Sequence, residues 1–290
     1  MEFAIVDGQR TPAQPALIGV CEYCGRRMTA KCGRQIIWHW AHAGKKYCDP
    51  WWENETAWHR EWKSYFPENL REQRRFDHEG NEWHVADVLS RDGIVIEIQN
   101  SPMPLDELQS RENFYKKMIW IVNGEKFSSS FHILGRLPAP HEEWVKDLVF
   151  YPQRRNLAGH LFYRHSENPS VEQHEGEMVL VHGMHEIQSQ IDEAYIGHHF
   201  YDWVKPHSVW FASTMPIYLD FGDDYLWLLT LYGNSDLYCA KIVSKSSIVS
   251  QFGGIYIPKG FMRRMPGRRL GNGAPIDRGE CNVIPHLIPV

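Results

Sequence analysis

The chain has 290 residues, 43% of them apolar and 23% charged, which is a globular composition and excludes a disordered or fibrous chain. A net charge of −5 excludes attraction to nucleic acid over the whole surface, so any such binding has to rest on local basic patches. No stretch approaches the roughly 20 apolar residues of a membrane helix, and the N-terminus shows no positive leader. The expectation is therefore a cytoplasmic protein with no membrane partner.

Residues 1–50 form a short first region rich in Cys, His and Gly. Four of the six cysteines, Cys21, Cys24, Cys32 and Cys48, fall within 28 residues, beside His39 and His42. Inside a cell that crowding favours a metal over disulfides. Cys21-Glu22-Tyr23-Cys24-Gly25 has zinc-knuckle spacing, with two thiolates on a tight turn and glycine relieving the backbone. His42 and Cys48 complete a Cys3His set, with 17 residues separating the two halves. His39 and Cys32 are spare candidates, readable equally as a hydrogen-bonded histidine and a small buried thiol. The expected ion is a structural Zn2+, giving stability that so short a segment cannot draw from a core.

Residues 51–125 alternate helical and strand patterns. Asn54 suits an N-cap, and the run from Glu55 to Phe66 reads as a helix ending at Pro67. Trp58, Trp62, Tyr65 and Phe66 form its apolar face, and Glu55, His59 and Lys63 a polar stripe. Strands are expected near 70–77, 83–90 and 94–100, a second helix near 104–116 with Pro104 at its first position, and a strand from Met118 to Val122. The order is helix, three strands, helix, strand.

Two of those strands carry a pair of carboxylates. Strict alternation puts Val85, Asp87 and Leu89 on one face, and Val95, Glu97 and Gln99 on one face of the next strand. Arg91-Asp92-Gly93 between them has the form of a three-residue hairpin loop with glycine last. That loop sets Ser90 opposite Ile94, and therefore Asp87 opposite Glu97, with Cβ atoms about 5 Å apart. Two carboxylates so placed repel unless a cation lies between them, and a hard ion such as Mg2+ suits their oxygens. The alternative is a sheet edge where both point into solvent.

Asp87 and Glu97-Ile98-Gln99 on a hairpin, after a Glu-bearing helix, resemble the PD-(D/E)XK nuclease core. More narrowly, Glu55-Thr-Ala-Trp-His59-Arg-Glu-Trp-Lys63, Ala86-Asp87-Val88, Ile96-Glu97-Ile98-Gln99-Asn-Ser101 and the Tyr115 to Val122 stretch are similar to the competence protein CoiA and its relatives. His39-Trp40-Ala41-His42 looks like that family's histidine signature. The resemblance spans roughly residues 15–125. It implies an α/β (α+β) chain with a restriction-endonuclease-like αβββαβ core at 51–125 after the small N-terminal zinc ribbon at 1–50; residues 126–290 lie beyond the resemblance and read as an additional β-rich C-terminal region. It also implies a hydrolase cutting DNA, with Mg2+ or Mn2+ on Asp87 and Glu97 and with Glu55 holding a second metal or a metal-bound water. Glu55 is equally readable as an ordinary first-turn residue favoured by the helix dipole. The superfamily's usual lysine is replaced by Gln99, which can orient a water by hydrogen bonds, while His59 or Lys63 supplies the cationic or acid–base element. Roles in DNA uptake, recombination or phage defence follow from the resemblance. A zinc-containing module that holds DNA without cutting, or an assembly factor, are the alternatives.

The remainder carries less signal. Leu137-Pro138-Ala139-Pro140 reads as a linker or boundary. Trp210 to Ala212, Ile217 to Phe221, Tyr225 to Tyr232 and Tyr238 to Val243 read as strands, with Asp220-Phe221-Gly222 a turn. Its histidines, such as His165, His182, His185, His198 and His199, follow no ligand spacing, and the region can serve a protein partner. Candidate phosphate contacts are Arg71, Arg74 and Arg75, then Lys116 and Lys117, then Arg263, Arg264, Arg268 and Arg269. Each cluster is also readable as a solvated face.

Overall fold

The computed structural model describes residues 1–34, 36–44, 51, 55–78, 82–155, 159–169 and 179–258. Cys48, Asn54 and the four arginines at 263–269 lie outside the described residues. Met1–Tyr256 forms one compact unit. It is mixed α+β and rich in strands, with four α-helices among the described residues.

Five strands open the chain: β1 (Phe3–Val6), β2 (Gln9–Pro12), β3 (Ile18–Val20), β4 (Arg27–Lys31) and β5 (His39–His42). They form one antiparallel sheet in the order β2-β1-β3-β4-β5. Its inner face buries Met1, Ala4, Met28 and Trp40 together with Cys21 and Tyr23, a core small enough to need a second source of stability.

Next come α1 (Ala57–Ser64), β6 (Arg71–Asp77), β7 (Glu82–Leu89), β8 (Val95–Gln99), α2 (Leu105–Tyr115) and β9 (Met118–Asn123), in the element order expected from sequence. Thr56, not Asn54, caps α1: its side chain accepts the His59 N–H at 3.2 Å, so the helix starts two residues later than expected. Pro104 is the N-cap of α2 and not its first helical residue. Gly93 takes the left-handed conformation the three-residue loop requires, at φ +76°. The Ser90 N–H donates to Ile94 O at 2.9 Å, and the ladder continues through Leu89–Val95 to Val88–Ile96.

Beyond these lie β10 (Phe131–Arg136), β11 (Leu148–Phe150), β12 (Leu161–Arg164), β13 (Val181–Gly183), α3 (Gln188–Glu193), β14 (His198–Trp203), β15 (Ile217–Asp220), β16 (Tyr225–Leu231), β17 (Tyr238–Ser244) and α4 (Lys245–Gln251). Five of these strands join the sheet of β6–β9, in the order β10-β14-β17-β16-β15-β9-β8-β7-β6. The sheet is thus continuous across residue 125, and only β11-β12-β13 stand apart as a small sheet. Leu137-Pro138-Ala139 is buried and is no exposed linker: Leu137 N–H donates to His198 O and Ala139 N–H to Ala194 O, so the chain hugs β14 despite its prolines. Trp210 to Ala212 belongs to a 3-10 turn over Ser208–Ala212, not a strand, because Trp210 packs edge-on against Trp120 as a plug on the sheet.

The large sheet is covered on both faces. α1 and α4 lie on one, where Trp62, Phe66, Ile248 and Val249 pack over Ile96, Ile98, Ile119 and Ile121. α2 lies on the other, with Leu108 and Tyr115 against Val95, Met118 and Trp120. Fixing α1 on this sheet is Asp220, at the end of β15. Its carboxylate accepts both indole N–H groups, Trp58 at 2.9 Å and Trp62 at 2.7 Å, and pairs with Lys245 of α4 at 2.7 Å. Asp220→Ala leaves a buried ammonium unpaired and is expected to cost about 3–5 kcal/mol of unfolding free energy. Urea unfolding checks this; an unchanged midpoint would show that the Trp58–Trp62–Lys245 grip is not structural.

Candidate functional site

The expected alternation holds along β8 but breaks on β7. Ala86 faces the α2 side of the sheet while Val88 faces the α1 side, so Asp87 sits at a change of face instead of on it. The cause lies in the two flanking strands. Ladder pairing with β8 ends at Val88–Ile96. The Asp87 carboxylate then enters the gap, where Oδ2 accepts the Ile98 N–H at 2.9 Å that a strand carbonyl would otherwise take. On the other side, Glu72 of β6 falls opposite Asp87 by count between the pairs Arg71–Val88 and Gln73–Ala86. Glu72 has φ +47°, a left-handed backbone that costs a non-glycine residue about 1 kcal/mol or more. Three carboxylates, Glu72, Asp87 and Glu97, therefore stand abreast on three adjacent strands.

The polar stripe of α1 faces this row. His59 Nε2 lies 2.7 Å from Asp87 Oδ1. Lys63, 1% exposed, bonds Glu72 at 2.9 Å and pairs closely with Glu55. Glu55 also pairs with Arg60. On the opposite side of the sheet, Arg111 of α2 pairs with Glu97 Oε2 at 2.9 Å, while Glu97 Oε1 faces the Asp87 N–H at 3.4 Å. Gln99 is buried and its amide donates to Ser101 O at 3.1 Å. Glu72 also binds the start of β1, accepting Glu2 N–H at 2.8 Å and Phe3 N–H at 3.4 Å.

The electrostatics follow from this packing. Burial alone would raise Asp87, but His59 and then Lys63, with the Ile98 N–H, hold its carboxyl below the usual range. Burial, the largest influence, would likewise raise Glu55 and Glu72, but Lys63 together with Arg60 and the N-terminal ammonium at Glu55, and Lys63 together with the N-terminal ammonium at Glu72, hold both below the usual range. Burial would discharge Lys63, yet Glu72, Glu55 and Asp87 keep its pKa above that of an ordinary lysine. Lys63 is thus held as a positive charge against the burial that would discharge it. Asp87 is the residue of the row that reaches solvent, with 18% of its side chain exposed.

As metal ligands, Asp87 and Glu97 offer hard oxygens from adjacent strands. Each oxygen has two lone pairs, so the hydrogen bonds to His59 and Ile98 still permit coordination. In donor type Asp87 and Glu97 suit a hard divalent cation, with Asp87 turned to His59 and Glu97 to Arg111. Glu55 is placed elsewhere, between Lys63 and Arg60, and does not form a three-ligand group with them among the described residues. Glu72 was not anticipated; within Arg-Glu-Gln-Arg-Arg it reads as a strand's surface charge, and only the fit of Lys63 opposite it reveals its place.

A second cluster lies in the N-terminal sheet. Cys21, Cys24 and His42 bring their ligand atoms within 4.8 Å of one another, and form a group that can bind a metal such as zinc. Cys21 follows β3, Cys24 lies in the β3–β4 turn, and His42 ends β5 opposite Met28. The turn is built for thiolates: Tyr23 N–H points at Cys21 Sγ at 3.4 Å, and Gly25, at φ +67°, returns its N–H to Cys21 O. Cys24 Sγ lies 3.3 Å from His42 Nε2. His39 sits at the far end of β5, bonded to Ile37 O, and Cys32 packs against the small core, so neither joins the cluster. Of the basic clusters, Arg71 is tied to Glu2 and Phe66 O, Arg74 lies over Trp83, and Arg75, Lys116 and Lys117 are exposed. Compared with protein-family models, with curated proteins and with solved structures, the chain matches none.

The pH dependence of the charge network has a defined sign. Glu55, Glu72 and Asp87 sit below their ordinary values of 4.5 and 3.8, so their stabilisation is complete above about pH 5, starts to decline as pH falls below those ordinary values, and is lost only as pH falls through the lower folded values. Lys63→Met is expected to cost about 3–5 kcal/mol at neutral pH, because it strands buried carboxylates. That cost should shrink towards pH 4 as the carboxylates take up protons. Urea unfolding of both proteins across pH 4–8 checks this, and a cost independent of pH contradicts it.

Proposed function

We propose that the chain is a divalent-metal-dependent nuclease that hydrolyses phosphodiester bonds in DNA, resembling CoiA and the PD-(D/E)XK nucleases. The observation that carries the reading is the Asp87 carboxylate held in the gap between β7 and β8, beside Glu97 and under His59. The order α1-β6-β7-β8-α2-β9 supports the same comparison. Asp87 and Glu97 would hold Mg2+ or Mn2+, which when bound polarises a phosphodiester and acidifies a water.

The chain's own groups have separate tasks in this reading. Asp87 orients the His59 ring through Nε2, which makes His59 the acid–base residue of the site. Lys63 offsets the carboxylate row and keeps Asp87 ionised. Arg111 fixes one oxygen of Glu97 and leaves the other towards Asp87. Gln99, beyond Glu97 on the same strand, is a water-orienting amide. In the N-terminal sheet, Cys21, Cys24 and His42 would hold a structural Zn2+ that adds to the small core there, with Cys48 the fourth ligand expected from the sequence.

One observation favours the rival reading, a module that holds DNA without cutting it. Every carboxylate of the row already has a protein partner, Lys63 for Glu72, Arg111 for Glu97 and the His59 ring for Asp87, so the row is held without a metal. Cleavage of labelled single-stranded, duplex and branched DNA separates the two, run with Mg2+, with Mn2+ and without either. Asp87→Asn and Glu97→Gln keep size, remove the negative charge and one acceptor oxygen, and are expected to lower cutting by at least about a hundredfold. No metal-dependent cutting by the wild type, with DNA still bound, favours the module.

A further inference from the structure

Trp38 is held out to solvent in a manner that packing does not explain. Its side chain belongs to no core cluster and the residue is 48% exposed, uncommon for tryptophan, with Ile36 beside it at 50%. Its orientation is nevertheless fixed. The indole N–H donates to Gly33 O at 3.3 Å across the β4–β5 loop, while nearly half of the residue stays exposed. The same loop is tied to α1, since Arg60 donates to Trp38 O at 3.4 Å. Arg60 follows His59 in the helix, and His59 carries Asp87. The Trp38 loop is therefore linked by one hydrogen bond to the residue next to the acid–base group. It lies at the opposite end of β4 and β5 from Cys21, Cys24 and His42, because Lys31 pairs with His39 near the loop and Met28 with His42 away from it.

The sequence around Trp38 is one-signed. Residues 23–48 contain six lysines and arginines and no aspartate or glutamate, in a chain whose net charge is −5. Arg27 and Lys31 share the exposed face of β4, and Arg34 is exposed in the Trp38 loop itself. An exposed indole plane flanked by cations suits an unpaired base and its phosphates. In a duplex the base faces are stacked on one another and do not reach such a plane. Charge complementarity likewise selects a polyanion over an apolar protein partner.

We propose that Trp38 is a base-stacking residue that sets the substrate as single-stranded DNA, with one unpaired base on the indole and flanking phosphates on Lys31 and Arg34. The substrate class rests on the nuclease reading above, but the contact itself is testable without cutting. Fluorescence polarisation with a labelled oligothymidylate and with a hairpin duplex, no Mg2+ or Mn2+ added, reads binding alone. Trp38→Ala is expected to weaken the single strand roughly ten- to a hundredfold, the size of one base–aromatic stack, and to change duplex binding by less than about twofold. Trp38→Phe, which keeps an aromatic face, should stay within about threefold of wild type. Zinc content and circular dichroism confirm that both variants fold. Unchanged single-strand affinity in Trp38→Ala, or equal loss for both DNA forms, overturns the proposal. Absence of cutting by the wild type leaves this readout intact and bears only on the nuclease reading.

Discussion

A lysine ammonium cannot remain charged in a protein interior without anions around it, and Lys63 has three. Glu55 precedes its own helix, Glu72 comes from β6, and Asp87 comes from β7. Each partner performs a second task. Glu72 receives the N–H groups that start β1, and so fastens the N-terminal sheet to the large one. Asp87 fills the gap between β7 and β8. Glu55 holds Arg60, which reaches the Trp38 loop. The small sheet, α1 and the strand pair are thereby positioned by one charge, and the candidate site is the point where they meet.

The other end of the account is Asp220, which binds Trp58 and Trp62 on the same helix. Helix α1 is only eight residues long, too short to be stable in isolation. Its position rests on tertiary contacts, the two indoles clamped to β15 and the polar stripe locked into the carboxylate row. This explains how residues beyond 126 bear on the site without touching it: β15 lies beside β9 in the same sheet and carries the anchor for the helix that presents His59.

Much of the site was legible locally. A three-residue loop ending in Gly93 determines the hairpin register, and with it the level of Asp87 and Glu97. Spacings of four placed Glu55, His59 and Lys63 on one stripe. Cys21-x-x-Cys24 and His42 converge as their spacing suggested. What was not legible depends on partners distant in sequence. The departure from alternation at Asp87 comes from a gap opened by two neighbouring strands, and period-two patterning contains no signal for it. Glu72 needed Lys63 opposite before it differed from a surface charge. Leu137-Pro138-Ala139-Pro140 has linker composition, yet His198 and Ala194 accept its remaining N–H groups and hold it inside. Trp210 looks like a strand residue until Trp120 supplies the surface on which its turn sits.

In the proposed reading Asp87 and Glu97 form a cation site and not merely a neutralised charge network. Direct titration of the zinc-loaded protein with Mn2+, followed by loss of the free-ion signal in electron paramagnetic resonance, addresses it without requiring a substrate. Saturable binding is expected, weakened at least about tenfold by Asp87→Asn. Equal Mn2+ binding by the two proteins, or none by either, would contradict it.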